Sequence, residues 1–227
     1  MATARERAHA RTLEKIVALG RDQLAEVGPT RLSLREVARG LGMVSSAVYR
    51  YVASRDELLT LLIVDAYDEL GQAVESAIAE ASAPREQYAA AGHAARRWAL
   101  DNPARYALVF GTPVPGYHAP AELTTGPGTR VIVALVRIFD SAWEAGALDV
   151  RPREPGPALL ADLEDIAREY GLGLPPAGLA AAVTAWTGLF GAISFEVFGQ
   201  YGENTFRAPE ELFEEQLATL ASAAGLR

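Results

Sequence analysis

The sequence predicts an all-α protein, an N-terminal three-helix head followed by a larger helical bundle, and three observations carry the prediction. Apolar residues return every three or four positions along most of the chain, the period of a helix with one buried face. Capping sequences and Gly or Pro breaks divide these segments into helix-sized pieces. Strand-like alternation is absent. Half of the 227 residues are apolar, enough to bury a full core without covalent staples. The chain has no cysteine, which removes thiol catalysis, disulfide frameworks, iron–sulfur clusters and thiolate zinc sites.

In the head, Leu13, Ile16, Val17, Gly20, Leu24 and Val27 give one stripe, so a first helix is expected over about residues 9–27, stopped by Gly28-Pro29. Ser33-Leu34-Arg35-Glu36 reads as a capping box, with Leu32 and Val37 as its apolar staple. The helix it opens is short, because Gly42 supplies a left-handed stop. Ser45 to Val52 reads as a third helix, and Ser54-Arg55-Asp56-Glu57 as a second capping box opening a long connecting helix over 54–80. Two short helices joined by a tight glycine turn form a helix-turn-helix, whose second helix lies in a DNA major groove.

Residues Leu41-Gly42-Met43, Val48-Tyr49-Arg50-Tyr51-Val52 and Ser54-Arg55-Asp56-Glu57-Leu58-Leu59 resemble the signature of TetR-type DNA-binding domains. The resemblance implies that the helix after the glycine turn reads bases, and that Tyr49 and Arg55 hold phosphate. Two positions depart from the pattern: Val44 stands where a capping serine or threonine is usual, and Arg55 replaces the usual lysine, keeping the charge and adding bidentate reach. The residue types agree independently. Ser45, Ser46 and Arg50 are short or basic groups on a small helix, with Ser33 and Arg35 on the preceding one, so Ser33, Arg35, Ser45, Ser46, Tyr49, Arg50 and Arg55 are the expected DNA contacts. Arg50 is the only long donor on the reading helix, which points to sparse base readout supplemented by DNA shape.

Further helices are expected over 85–101, 103–111, 121–146 and 158–171, separated by Asn102-Pro103, the proline-rich segment 112–120 and a loop from Asp149 to Pro157. Pro175-Pro176 opens a helix of over twenty residues with a heptad-like seam of Leu179, Val183, Trp186, Phe190, Ile193 and Val197, and a last helix spans 209–224. Two such helices per subunit can close a symmetric homodimer as a four-helix bundle. Trp98, Tyr106, Phe110, Tyr117, Phe139, Trp143, Trp186 and Phe190 supply aromatic surface for an apolar effector pocket, although any one of them taken singly is ordinary core. The run Asn102 to Gly111, followed by Pro113, Pro115 and Tyr117, and the later segment from Trp186 to Gly191 resemble a C-terminal domain class named for a Trp-His-Gly motif. Phe190 replaces its histidine here.

Residues 1–56 carry ten Arg or Lys against six Asp or Glu, a net +4, whereas the remaining 171 carry eleven against twenty-three, a net −12. A basic head suits phosphate. His9, His93 and His118 have no metal-ligand spacing, Gly126-Pro127-Gly128 and Gly171-Leu172-Gly173 lack the strand a phosphate loop needs, and no nucleophile elbow occurs. No enzyme, cofactor or metal is therefore expected. The N-terminus has no secretory pattern and no run of about 18 apolar residues is evident, so a cytoplasmic location without membrane partners is expected. The expected division is 1–56 as a DNA-binding domain and 81–227 as an effector-binding and dimerisation domain. The resemblance implies a repressor whose partners are a palindromic double-stranded DNA operator, a second copy of the chain and a small apolar or amphipathic effector. The alternative is a helical protein-binding adaptor.

Overall fold

The computed structural model describes residues 3–150 and 155–227. Among these, ten α-helices form: α1 (Ala4–Val27), α2 (Leu34–Gly40), α3 (Ser45–Val48), α4 (Arg55–Glu80), α5 (Pro84–Asp101), α6 (Pro103–Phe110), α7 (Ala121–Glu144), α8 (Pro157–Tyr170), α9 (Pro176–Val197) and α10 (Pro209–Ala223). No strand occurs among the described residues beyond an isolated bridge between Leu148 and Leu226. Five helices begin on proline, whose missing N–H costs nothing at a first helical position and whose fixed φ suits it. The expected loop from Asp149 to Pro157 lies partly outside the described residues.

The chain packs as two units, one of residues 3–69 with 101–128 and one of 70–100 with 129–227. This differs from the division at 56 and 81 expected from the sequence. Val114 is buried in the head's core, and Ala104, Leu108 and Tyr117 pack against that core beside Ile16, Val37, Val48 and Leu59. Contacts between α6 and α1 bind the same unit.

The head departs locally from the expected pattern in four places. Helix α1 begins at Ala4 rather than near residue 9, because Thr3 and Glu6 form a reciprocal capping box: the Glu6 N–H donates to Thr3 Oγ1 at 3.2 Å and the Thr3 N–H to Glu6 Oε2 at 2.7 Å. Ser33 makes no side-chain capping bond. Its N–H donates instead to Gln23 Oε1 at 3.0 Å, Gln23 Nε2 donates to the Ser33 carbonyl at 3.3 Å, and Glu36 pairs with Arg39. Helix α3 stops at Val48 instead of running to Val52, and the Tyr51 and Val52 N–H groups both close onto the Val48 carbonyl, at 2.8 and 3.1 Å. At the start of α4, Ser54 Oγ accepts the Glu57 N–H at 3.1 Å, but the Glu57 carboxylate reaches the Ala53 N–H rather than that of Ser54.

A charge network ties α1, α4 and α6 together. Arg21 binds Asp65 through two nitrogens, and the buried Arg105 donates to Asp65 Oδ2 at 2.9 Å, pairs with Glu69 at 2.8 Å and donates to Asn102 Oδ1 at 3.0 Å. Hydrogen bonding to Asp65 outweighs partial desolvation and raises the Arg21 guanidinium pKa above its ordinary value. Such groups persist away from water only when paired and hydrogen-bonded.

In the second unit, α9 packs between α8 and α10. Leu179, Ala182, Ala185, Leu189, Phe190 and Ile193 face the core, whereas Val183, Trp186 and Val197 of the expected seam are only half-buried. Tyr88 of α5 meets Phe139 of α7 edge-on and donates its hydroxyl to the Ala185 carbonyl at 3.0 Å; burial raises its pKa. Arg96 of α5 binds Glu196 at 2.7 and 2.5 Å and lies over the Phe213 ring, joining α9 and α10. The expectation that no segment has a bilayer-spanning character needs correcting. By length and composition alone α9 qualifies, with a mean hydropathy of 1.5, because Ala, Leu, Ile, Val and Phe fill it and Glu196 is its one charged residue. Helices α8 and α10 pack against it, and 39% of that apolar stretch is buried.

Candidate nucleic-acid interface

Helices α2 and α3 contact each other across the turn at Gly42, whose φ of +65° is a conformation glycine adopts without a Cβ penalty. The buried Val48 and Val52 anchor the segment in the head's core and Tyr51 packs against it, which leaves Tyr49 and Arg50 outside it. Ser46, Tyr49 and Arg50 are exposed, Tyr49 by 46%. Ser45 is half-buried beside them, and Val44 caps α3 without a side-chain bond. Arg35 is exposed on α2, and no ion pair among the described residues engages Arg35 or Arg50. Ser33 is half-buried and held through its backbone by Gln23.

Arg55 is placed differently from these. Its Nη2 donates to the Pro29 carbonyl at 2.7 Å, its Nη1 to Asp56 at 3.3 Å, and its buried Nε has no partner. The side chain thus ties the start of α4 to the turn after α1. His9, on the first turns of α1, lies with its ring 4.8 Å from that of Tyr51. That contact was not foreseen, because it depends on α1 starting before residue 9, and the signal for that start is the Thr3-Ala4-Arg5-Glu6 spacing.

The eight aromatics expected to line an effector pocket fall into two groups. In the first unit, Tyr106 is buried and stacks on Phe110 at 5.0 Å, Phe110 meets Tyr67 edge-on at 6.1 Å, and the Tyr117 hydroxyl lies 2.8 Å from Thr60 Oγ1. A partly open cavity of about 270 Å3 adjoins them, lined by Ile63, Tyr67, Leu108, Val114, Tyr117 and Thr124, among others. Of the eight, Tyr117 lines it. In the second unit, Trp98, Phe139 and Phe190 are buried, Trp186 packs on Phe190 at 6.1 Å, and Trp143 is 41% exposed. That unit has grooves of about 470 Å3 along α9 and α10, bordered by Ala181, Thr184, Gly188, Gly191 and Leu220 rather than by the expected aromatics.

Residues 16–62 match the family described as bacterial regulatory proteins, tetR family, and residues 88–220 match the tetracyclin repressor-like C-terminal domain. The HTH-type transcriptional regulator Rv1816 of Mycobacterium tuberculosis is 44% identical over 210 residues, which is 92% of this chain and 90% of the relative. The crystal structure of the regulatory protein SCO4313 superimposes with a TM-score of 0.79 at 35% identity, covering 97% of this chain and 100% of that one. The fold alone is shared with RolR, solved in complex with resorcinol, at a TM-score of 0.56 and 16% identity, over 96% and 93% of the two chains. The relatives are regulators rather than enzymes, and the DNA-binding match replaces the adaptor alternative. The chain belongs to the TetR family of DNA-binding transcriptional regulators.

Proposed function

We propose that the protein is a repressor that binds a palindromic operator as a homodimer and leaves it when a small apolar or amphipathic molecule binds. The carrying observation is the exposed set Ser46, Tyr49 and Arg50, displayed around the buried Val48 and Val52 and free of ion pairs. In this reading Arg50 makes the base contact, Tyr49, Ser45, Ser46 and Arg35 hold phosphate, and Ser33 and Arg55 keep the elements that carry them in register. Functionally, residues 1–56 are the DNA-binding part, 54–80 the connecting helix, and 81–227 the effector-binding and dimerisation part.

Two observations support the remaining roles. The cavity beside Tyr117 has a mixed wall in which Ile63, Leu108 and Val114 stand beside Tyr67, Tyr117 and Thr124, and its size is near the lower end of ligand pockets, suiting an amphipathic molecule of one or two rings. RolR, of the same fold, holds resorcinol. The α9–α10 face keeps Phe195 52% exposed beside small residues, which suits a self-complementary contact with a second copy. A regulator acting on DNA works in the cytoplasm, and no cofactor is required for this mechanism.

The test is selection of bound fragments from a random DNA pool by the purified protein, followed by titration of the winner at several salt concentrations. An enriched palindrome with half-sites about one helical turn apart is expected. Flat, weak binding without enrichment would overturn the operator reading.

A further inference from the structure

The head carries a basic segment outside the helix-turn-helix, and the structure ties it to the reading surface. Residues 4–15 precede the region matching the family's DNA-binding domain, which starts at 16. They include Arg5, Arg7, Arg11 and Lys15, and no ion pair among the described residues uses any of the four. The Thr3–Glu6 capping box makes this segment a continuous part of α1 instead of a loose tail. It also occupies Glu6 Oε2 with a backbone N–H.

Helical geometry then separates the arginines. Ile16 is fully buried against the head's core, and His9, two turns earlier on the same face, rests on Tyr51. Arg5 lies one further turn along that face, about 6 Å from His9 along the axis. Tyr51 directly follows the exposed Tyr49 and Arg50. Arg5 is therefore the exposed charge that α1 carries nearest to the reading segment, whereas Arg7 and Arg11 sit about half a turn around the helix.

We infer that Arg5 is an additional DNA contact, gripping a backbone phosphate beside the half-site read by α3, with the His9–Tyr51 ring contact holding it in place. The inference rests on the operator reading above and adds a contact to it. A phosphate is favoured over a base because Arg5 stands outside the reading helix, on an exposed helical face, where a long cation positions rather than specifies. An acidic protein partner fits less well, because Arg5 lies on the same side of α1 as the His9–Tyr51 contact, next to the exposed Tyr49 and Arg50 of a DNA-binding head.

The experiment uses the full chain and a mixed-sequence duplex of about 30 base pairs, long enough for two half-sites. Binding is titrated from about 50 to about 200 mM salt for the wild type and for Arg5→Ala, Arg5→Lys, Arg7→Ala and Arg50→Ala. Because a homodimer carries two copies of Arg5, Arg5→Ala is expected to reduce the slope of log K against log salt by about 1.8, so that the affinity lost over that salt range shrinks about twelvefold. Arg5→Lys should restore the slope, and Arg7→Ala should leave it nearly unchanged. Alanine favours helix, so an unchanged circular dichroism spectrum should accompany the loss. A wild-type slope in Arg5→Ala, with Arg50→Ala still altering preference on the selected palindrome, would overturn the inference and leave the operator reading intact. Salt-insensitive binding by the wild type would instead remove the operator reading.

Discussion

In the unit of residues 3–69 and 101–128, Ser46, Tyr49 and Arg50 stand outside an apolar core, while in the unit of 70–100 and 129–227 the large rings of Tyr88, Phe139 and Phe213 are fully buried. The two regions use side chains in opposite ways. In the head the core is a platform, and chemistry is left to residues that contribute nothing to it. In the second unit the rings are themselves the platform, so their truncation and their function are hard to separate. A residue is informative about binding where the fold does not need it.

The comparison breaks most sharply at Phe139. Phe139→Ala is expected to cost about 3–5 kcal/mol, from lost transfer energy and the cavity left behind, measured by denaturant unfolding. Trp143→Ala on the same helix should cost clearly less, about 1 kcal/mol, because 41% of its surface is already exposed. Equal losses would mean that Trp143 is covered, by a second copy of the chain or otherwise.

Arg105 is the head's exception, a charge used as core. Arg105→Met removes one cation from the carboxylates of Asp65 and Glu69 and leaves Arg21 as their partner. About 3 kcal/mol of stability should be lost, and restoring neutrality with Arg105→Met plus Asp65→Asn should recover part of it. Failure of the double variant to recover anything would show that the pairs do not act as a network.

At the small end lies Arg50→Ala, expected to leave unfolding unchanged while costing about 1–3 kcal/mol on the selected operator and much less on random duplex. Equal losses on both duplexes would turn Arg50 from a base reader into a phosphate contact.

What was legible in the sequence follows the same division. Helices α5 to α10 could be bounded to within about two residues because proline and glycine act locally, on the backbone of their own segment. Ser33 was misread because its competitor, Gln23, lies ten residues earlier on another helix, and capping rules see only neighbours. Arg105 was overlooked for the same reason: its partner Asp65 is forty residues away, and a lone arginine in an apolar helix looks solvent-facing. At the candidate site, Tyr49 and Arg50 were readable because their exposure follows from the buried Val48 and Val52 on either side. Which aromatics border a cavity was not readable, because a ring lining a void and a ring filling one share the same periodicity.

The hydropathy of α9 has a consequence during synthesis. Its covering partner α10 follows after eleven intervening residues, so the most apolar helix is synthesised before the segment that packs on it. At translation rates of about 5–20 residues per second, the 26 residues from the end of α9 to the end of α10 take roughly one to five seconds. Until α10 packs on it, α9 is an uncovered apolar stretch of the kind that makes partly folded chains aggregate, so early pairing of these two helices protects the chain during folding.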